Sequence, residues 1–318
     1  MPEVSIIILT KNQAGIIKET LENVFAQESS YDFEVIVIDS GSTDGAQKEI
    51  KKFPVRLSQI RSEEFNHGKT RNLGASLAQG KYVVFLNGDA KPKNKEWLQM
   101  LLVNFSRYEK TAAVYSRVYP RTNCNPAEAR SILFDYYLFN GKVKQIESFQ
   151  YYHGMTAEGK RKFIAFHTIS CAIKRDILLL HPFAEVEFGE DLVWAKEILE
   201  KGFTIIFENR SEIIHSHNLS MLGTMKRYFD DTRLNQKLLK RWSGFCLFTL
   251  PALWIHKTIK DAGYVVNLDK GLLYKTKWLL CLPGMRIAES LGLLLGLFPY
   301  WPPGVINALS SVREIKRV

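Results

Sequence analysis

A chain of 318 residues with 46% hydrophobic and 12% aromatic content can bury a large core, which excludes an intrinsically disordered protein. The net charge of +10 sits at one end: residues 226–318 carry 15 Lys and Arg against 6 Asp and Glu, while residues 1–225 carry 28 against 27. A basic, apolar tail on a neutral body suggests an anionic surface, a membrane before nucleic acid, because no nucleic-acid-binding motif accompanies the charge.

The continuous β-branched run at 4–9 reads as a strand buried on both faces. A helix follows at 17–25, with Ile17, Leu21, Val24 and Phe25 on one side. Residues 33–38 form a second buried strand, closed by the polar turn from Asp39 to Gly45, and 55–60 a third. A loop from His67 leads into a helix at 73–78, and 81–86 is another strand. Helix 97–105 and strand 112–118 come next, followed by a Tyr-rich stretch with a helix at 131–139 and a polar loop through His153 and Gly154. Residues 163–173 read as extended, 191–200 as a helix closed by Gly202, and 204–207 and 213–217 as short strands.

This alternation predicts an α/β fold, a mainly parallel twisted sheet with flanking helices, whose ligands gather at the carboxyl ends of the strands. Asp39 and Asp89 both lie just past such an end. A boundary near 225 separates residues 1–225 from a helical tail at 226–318. The tail has uncharged runs at 242–256 and 290–312; prolines interrupt both, and Trp254, Trp278, Tyr300 and Trp301 fit helices lying in a membrane interface rather than crossing it. Cys124, Cys171, Cys246 and Cys281 are scattered, with no Cys-x-x-Cys pair, as expected of free thiols in a reducing compartment. No secretory leader is recognisable, so a cytoplasmic location is expected.

Five segments carry chemistry in a fixed order: Leu9-Thr-Lys-Asn12, Val37 to Gly45 with Asp39, Phe65-Asn-His-Gly-x-x-Arg-Asn-x-Gly74, Phe85-Leu-Asn-Gly-Asp-Ala90, and Glu190-Asp191. Together they resemble family 2 glycosyltransferases, inverting enzymes of the GT-A fold. The Phe65–Gly74 wording, the Asp89-Ala-x-Pro92 ending and His215-Ser-His-Asn218 look most like the bacterial rhamnosyltransferase branch. The resemblance covers about residues 3–220.

It implies a nucleotide-sugar site made by Thr10, Asn12, Asp39, Gly68, Arg71, Asn87 and Asp89. Asp39 would accept a pyrimidine imide N–H, where its plain alternative is a turn-forming Asp. Arg71 suits pyrophosphate or base contact; a surface Arg is its alternative. Asp44 reads as a helix N-cap, and His67 and Gly68 are better explained by loop shape. Asp89 is the expected ligand of Mg²⁺ or Mn²⁺ bridging the diphosphate, with Asn87 at the position where relatives carry a first acid. His215 or His217 supplies a further metal ligand or a diphosphate contact. Asp191 is the expected base for the acceptor hydroxyl, and Glu190 shapes the acceptor pocket; acids at a helix start are also favoured by the helix dipole alone.

The resemblance thus predicts an inverting glycosyltransferase using a dTDP- or UDP-sugar, with dTDP-rhamnose the donor of the branch. The acceptor is a lipid-linked or growing glycan, and the enzyme is peripheral on the inner face of the cell membrane. Lys240-Arg241-Trp242 is similar to the Gln-x-x-Arg-Trp signature of processive synthases, but Leu238 replaces the Gln, which implies one or few additions per acceptor. The alternatives are a sugar nucleotidyltransferase, against which the missing Gly-x-Gly-Thr-Arg start speaks, and a non-catalytic membrane scaffold with a degenerate site, which Asn87 favours.

Overall fold

A computed structural model describes residues 1–135, 143–239, 246–298 and 300–311. The first elements are β1 (Val4–Thr10), α1 (Ala14–Phe25), β2 (Phe33–Asp39), α2 (Ala46–Ile50), β3 (Arg56–Gln59), α3 (His67–Leu77), β4 (Tyr82–Asn87) and β5 (Lys91–Pro92). Then come α4 (Trp97–Leu102), α5 (Asn104–Arg107), β6 (Thr111–Tyr119), α6 (Pro126–Arg130) and β7 (Val143–Lys144). They are followed by α7 (Phe149–Gly154), α8 (Ala157–Phe163), β8 (Ser170–Lys174), α9 (Arg175–Leu180), α10 (Glu190–Glu200) and β9 (Thr204–Ile214). The last helices are α11 (Met221–Leu239), α12 (Cys246–Val266), α13 (Leu272–Leu297) and α14 (Pro303–Leu309).

Residues 1–119 and 143–215 form one compact unit; 120–135 join 216–311 in a second. A single boundary near 225 did not anticipate this return of 120–135 to the tail. The first unit holds one sheet in the order β3-β2-β1-β4-β8-β6-β9-β5, with β7 against β9. The block β3-β2-β1-β4 is parallel, as the β-branched runs predict. The other half is mixed, because β8 lies antiparallel between β4 and β6, and β9 pairs parallel with β6 but antiparallel with β5 and β7.

Every residue of β1 is buried, and each fully buried aliphatic side chain there contributes roughly 1.5–3 kcal/mol. Polar pinning supplements this burial. Trp97 Nε1 donates to Ser170 Oγ at 2.8 Å, Ser170 lies 2.7 Å from Ser116 Oγ, and Ser116 2.8 Å from Ser211 Oγ. Ser211 donates in turn to the Trp97 carbonyl at 3.0 Å. This closed, buried ring fixes α4 against β6, β8 and β9 without an unsatisfied hydroxyl.

Three local expectations change. Helix α3 begins at His67, six residues before the predicted start, because the Asn66 side chain accepts from Lys69 N–H and caps it. The loop expected around His153 and Gly154 is two short helices capped by Ser148 and Thr156. The strands expected at 204–207 and 213–217 are one strand that ends at Ile214, before His215. The uncharged run 290–312 is interrupted at its prolines, as expected: α13 ends at Leu297, and α14 starts afresh after Pro302. The segments 136–139 of the expected 131–139 helix, 240–245 with Lys240-Arg241-Trp242, and residue 312 lie outside the described residues.

In the second unit α13 packs on α11 through glycines. A Cβ on Gly292 would sit 2.2 Å from the Met225 carbonyl oxygen, and one on Gly296 would sit 2.8 Å from that of Phe229. Asp261, wholly buried on α12, accepts from Arg130 Nε of α6 at 2.5 Å and from Arg286 Nε of α13 at 2.6 Å. Glu289 pairs with Arg286 and Lys257 in short contacts. Among the described residues one helix, Leu272–Leu297, is long and apolar enough to cross a membrane.

Gly292→Ala is expected to lower the thermal unfolding midpoint, since the methyl meets backbone that cannot rotate away, and overpacking costs about 1–3 kcal/mol. Gly304, with open space around it, is the control: Gly304→Ala leaves the midpoint unchanged or slightly raised. Equal midpoints for the two variants would remove the close-packing account of α11 and α13.

Candidate active site

The sheet register levels the carboxyl ends of three strands. Thr10 lies opposite Asp39, and Leu9 opposite Asn87, so β1, β2 and β4 share one rim. At this rim Thr10 Oγ1 donates to Gln13 Oε1 at 2.9 Å. Asn12 adopts φ +49, a left-handed conformation that Asn tolerates better than most residues. Its Oδ1 accepts from Thr43 N–H at 2.9 Å, tying the β1–α1 loop to the 40–45 turn. Asp44 is not the N-cap of α2, since Gly45 takes that position. Its carboxylate accepts from Ala46 N–H at 3.0 Å and from Ala14 N–H at 2.8 Å, serving the starts of two helices.

Asp39 has no exposed surface. Its Oδ2 accepts from Ser42 N–H at 3.1 Å and Gln47 Nε2 at 2.7 Å, and its Oδ1 takes a short bond from the Ser42 hydroxyl. This is the turn-forming role; the carboxylate is engaged within its own turn, not offered to solvent.

The Phe65–Gly74 motif is a clamp. From the cap of α3, Asn66 Nδ2 donates to the Val186 carbonyl at 2.8 Å. Gly68 lies so close to the chain that a Cβ would stand 2.3 Å from the Ala184 carbonyl oxygen. The Asn72 amide pairs with both backbone groups of Phe183, donating at 2.9 Å and accepting at 3.0 Å. Arg71, 3% exposed, donates from Nη1 to Glu190 Oε1 at 2.6 Å and from Nη2 to Asn87 Oδ1 at 3.3 Å. Two expectations are thereby corrected. Arg71 is neither on the surface nor in a loop before a helix; it is a buried ion-pair partner inside α3. Gly68 belongs to helix–segment packing, for which only a residue without a Cβ fits.

The clamped segment delivers Gly189, whose φ of +76 suits glycine and which sets the start of α10. Glu190 is buried in the first turn and Asp191 follows it, its Oδ1 accepting from Leu192 N–H at 2.8 Å. Burial, and then the Glu190 charge beside it, push the Asp191 carboxyl up to about 7; Arg71 and the Leu192 N–H pull the other way. Arg71 therefore joins the two acid-bearing segments: Asn87, two residues before Asp89, lies on one side and Glu190, next to Asp191, on the other.

Asp89 Oδ1 stands 3.3 Å from His215 Nε2. Within this unit Asp89 and His215 thus form a carboxylate–imidazole pair of the kind that can ligate a metal ion. The His217 N–H donates to Glu128 Oε1 at 2.8 Å, and Asn218 Oδ1 accepts from Asn125 N–H at 2.8 Å, so Ser-His-Asn is zipped to the 121–128 segment. Sequence reasoning missed Glu128 and Asn125; an Asn-Pro-x-Glu start, typical of a capped helix, was their only local signal. Buried His167, bonded through Nε2 to the Ser116 carbonyl at 3.1 Å, is pushed down to about 3 by burial and stays neutral.

A strand-end rim, an acid–histidine group and a clamped acid pair in one α/β unit narrow the family, and comparison settles it. The model of glycosyl transferase family 2 matches residues 5–178, over half of the chain. The chain belongs to glycosyl transferase family 2. It is similar to the O-antigen chain rhamnosyltransferase WbaN of Salmonella anatum, 28% identical over 72% of this chain and 71% of that protein. RfbN of Salmonella typhimurium strain LT2, named likewise, is 28% identical over the same shares. Among solved structures, the mannosyltransferase PcManGT of Pyrobaculum calidifontis, in complex with GDP-Man and Mn²⁺, aligns with a TM-score of 0.57. That alignment covers 92% of this chain and 87% of that one at 18% identity, and it shows the GT-A fold.

The raised Asp191 carboxyl has a consequence for stability. Its folded-state pKa lies above the unfolded value, so ionisation penalises the folded form; the penalty is absent below the ordinary carboxylate pKa and complete above about 7. Asp191→Asn is expected to unfold at a higher temperature than the parent at about pH 8, with the gain shrinking as the pH falls towards about 5. Identical midpoints at the higher pH would show that Asp191 carries no such penalty.

Proposed function

We propose that the chain is an inverting, metal-dependent glycosyltransferase that moves a sugar from a nucleoside diphosphate to a glycan or lipid-linked acceptor, with rhamnose from dTDP-rhamnose as the first donor to test. The observation that carries this reading is the Arg71 bridge, which draws the Asn87–Asp89 turn and the Glu190–Asp191 pair into one site. The names of the two Salmonella relatives support the donor.

The nucleotide lies over the rim made by Thr10, Asn12, Asp39 and Asn87, with Asp39 orienting the 40–43 turn beneath it. The diphosphate reaches Asp89 and His215. A carboxylate beside an imidazole is a borderline donor pair, better matched to Mn²⁺ than to Mg²⁺, which prefers oxygen alone. Such an ion, when bound, neutralises charge on the departing nucleotide. Asp191 accepts the proton of the acceptor hydroxyl as that oxygen attacks the sugar C1 from the face opposite the diphosphate. The C1–O bond to the diphosphate breaks, and configuration at C1 inverts. A carboxyl raised towards neutrality is a stronger base than an ordinary one yet remains ionised in a useful fraction at the pH of a cytoplasm. Glu190, held by Arg71, lines the acceptor side.

Asp191→Asn is expected to lower turnover roughly 10²–10⁴-fold while binding donor as the parent does. A thermal-shift screen of nucleotide sugars, with and without Mn²⁺, checks binding; a donor present at 100 times its dissociation constant adds about 2.7 kcal/mol. Asp89→Asn removes the Mn²⁺ dependence of that shift. Turnover at the parent rate in Asp191→Asn would remove the base assignment.

The second unit is the membrane-binding part, lying on the inner face of the cytoplasmic membrane. In support, Leu272 and Leu273 are 80% and 89% exposed, and Ile259, Leu280 and Leu291 are also exposed, among exposed Lys260, Lys270 and Lys277. Apolar side chains with interspersed lysines suit the interface of an anionic bilayer. Arg286 and Glu289, paired and buried within α13, suit a helix lying on the membrane better than one crossing it. Co-sedimentation with phosphatidylglycerol vesicles is expected for the parent and lost in Leu272→Glu/Leu273→Glu/Leu280→Glu. Equal sedimentation of the two proteins would sink the assignment.

A further inference from the structure

We infer that Arg71 is a positioning residue of the transfer reaction: clamped between Glu190 and Asn87, its guanidinium fixes the Glu190 carboxylate and balances its charge beside Asp191. The inference rests on the assignment of Asp191 as base and deepens it.

The geometry is specific. Arg71 and Glu190 are both buried and 2.6 Å apart, and they come from helices whose sequences are more than a hundred residues apart. Arg71 Nη1 also donates to the His67 carbonyl at 3.3 Å and Nη2 to Asn87 Oδ1, so the guanidinium is braced in its plane from three directions. Arg is suited to this task because its rigid fork reaches several acceptors at once and stays charged at any working pH. Lysine, with one point charge, cannot brace Asn87 and Glu190 together.

The charges facing Asp191 are few. Glu190 on its own helix opposes ionisation. Arg71 from α3 favours it, Arg161 from α8 favours it more weakly, and the Cys171 thiol from β8 is held neutral by burial. Were Arg71 absent, the Glu190 charge would stand unbalanced in the same turn and oppose ionisation of Asp191 more strongly. Asp191 would then be protonated, and unable to act as a base, over more of the working pH range. Removing the Glu190 charge instead should have the opposite effect. The pair thus sets the pH at which the enzyme turns on, without either residue touching the reacting atoms.

The test is the pH dependence of kcat/KM for dTDP release from dTDP-rhamnose, with Mn²⁺ and water as acceptor, from about pH 5 to about pH 9. The acid limb of that profile reports the base in the free enzyme. In Glu190→Gln the limb is expected to move to lower pH by about one unit, and in Arg71→Met to higher pH by about one unit. Arg71→Met/Glu190→Gln is expected to return towards the parent limb, and Arg71→Lys to retain the parent limb with a lower kcat. Titration of the donor and the ion is common to all variants and cancels from the differences. Should Arg71→Met fail to fold, Glu190→Gln and the double variant decide alone. An unmoved limb in both, with Asp191→Asn inactive, overturns the positioning role while the base assignment stands. Full activity in Asp191→Asn would remove the base assignment itself.

Discussion

The site depends on one act of packing, the clamping of residues 183–190 onto α3. The sheet alone yields a level rim at β1, β2 and β4. Glu190 and Asp191 arrive on a segment over a hundred residues later in the chain, held by three side chains of α3 and its cap, Asn66, Arg71 and Asn72, while Gly68 permits the close approach. Three of these bonds go to backbone groups and so fix the path of the segment whatever its side chains. The fourth is a buried ion pair. Removing one partner of such a pair leaves an uncompensated charge and costs about 3–5 kcal/mol, although a well-packed apolar replacement for both can be neutral. Stability alone does not therefore explain an Arg–Glu pair here.

Much of the sheet was legible because period and composition carry it. Continuous β-branched runs at β1, β2 and β4 admit few readings other than parallel strands covered on both faces. The antiparallel insertion of β8 between β4 and β6 was not legible. Its five residues, Ser-Cys-Ala-Ile-Lys, have no alternation or composition that distinguishes an antiparallel strand from a parallel one. The start of α3 was hidden for a different reason: Asn-His-Gly-Lys-Thr-Arg-Asn has no apolar stripe, since the face it buries is polar and glycine-bearing. The ring of Ser116, Ser170, Ser211 and Trp97 was equally invisible, because serines in strands signal nothing until three strands bring them together.

The same limit applies to the site. Motif order pointed to the acids and histidines as candidates, and the structure sets Asp89 beside His215. What each polar side chain bonds to was not readable. Asp39 bonds to Ser42 and Gln47, and Arg71 to Glu190 and Asn87, partners that no local pattern indicated. A motif specifies a residue type at a position, and a guanidinium that organises an active site leaves the same trace as one that touches a phosphate. Partner choice is settled by segments that the motif does not contain.

Charge plays opposite parts in the two units. In the first, the Asp191 carboxyl is held where burial and the neighbouring Glu190 charge oppose its ionisation. In the second, the buried charges are matched: Asp261 takes one arginine from α6 and another from α13, and Glu289 takes Arg286 and Lys257. Such matching is what allows a bundle with leucines on its outside to remain one folded body. Beside the small apolar cluster of Ala127, Val265, Leu282 and Met285, specificity between helices comes from ionic contacts and from the glycine-to-backbone approaches at 292 and 296. An amphipathic helix pair held by leucines alone would have no reason to keep those leucines outside. With ionic and glycine contacts fixing the interior, the leucines are free for an external partner.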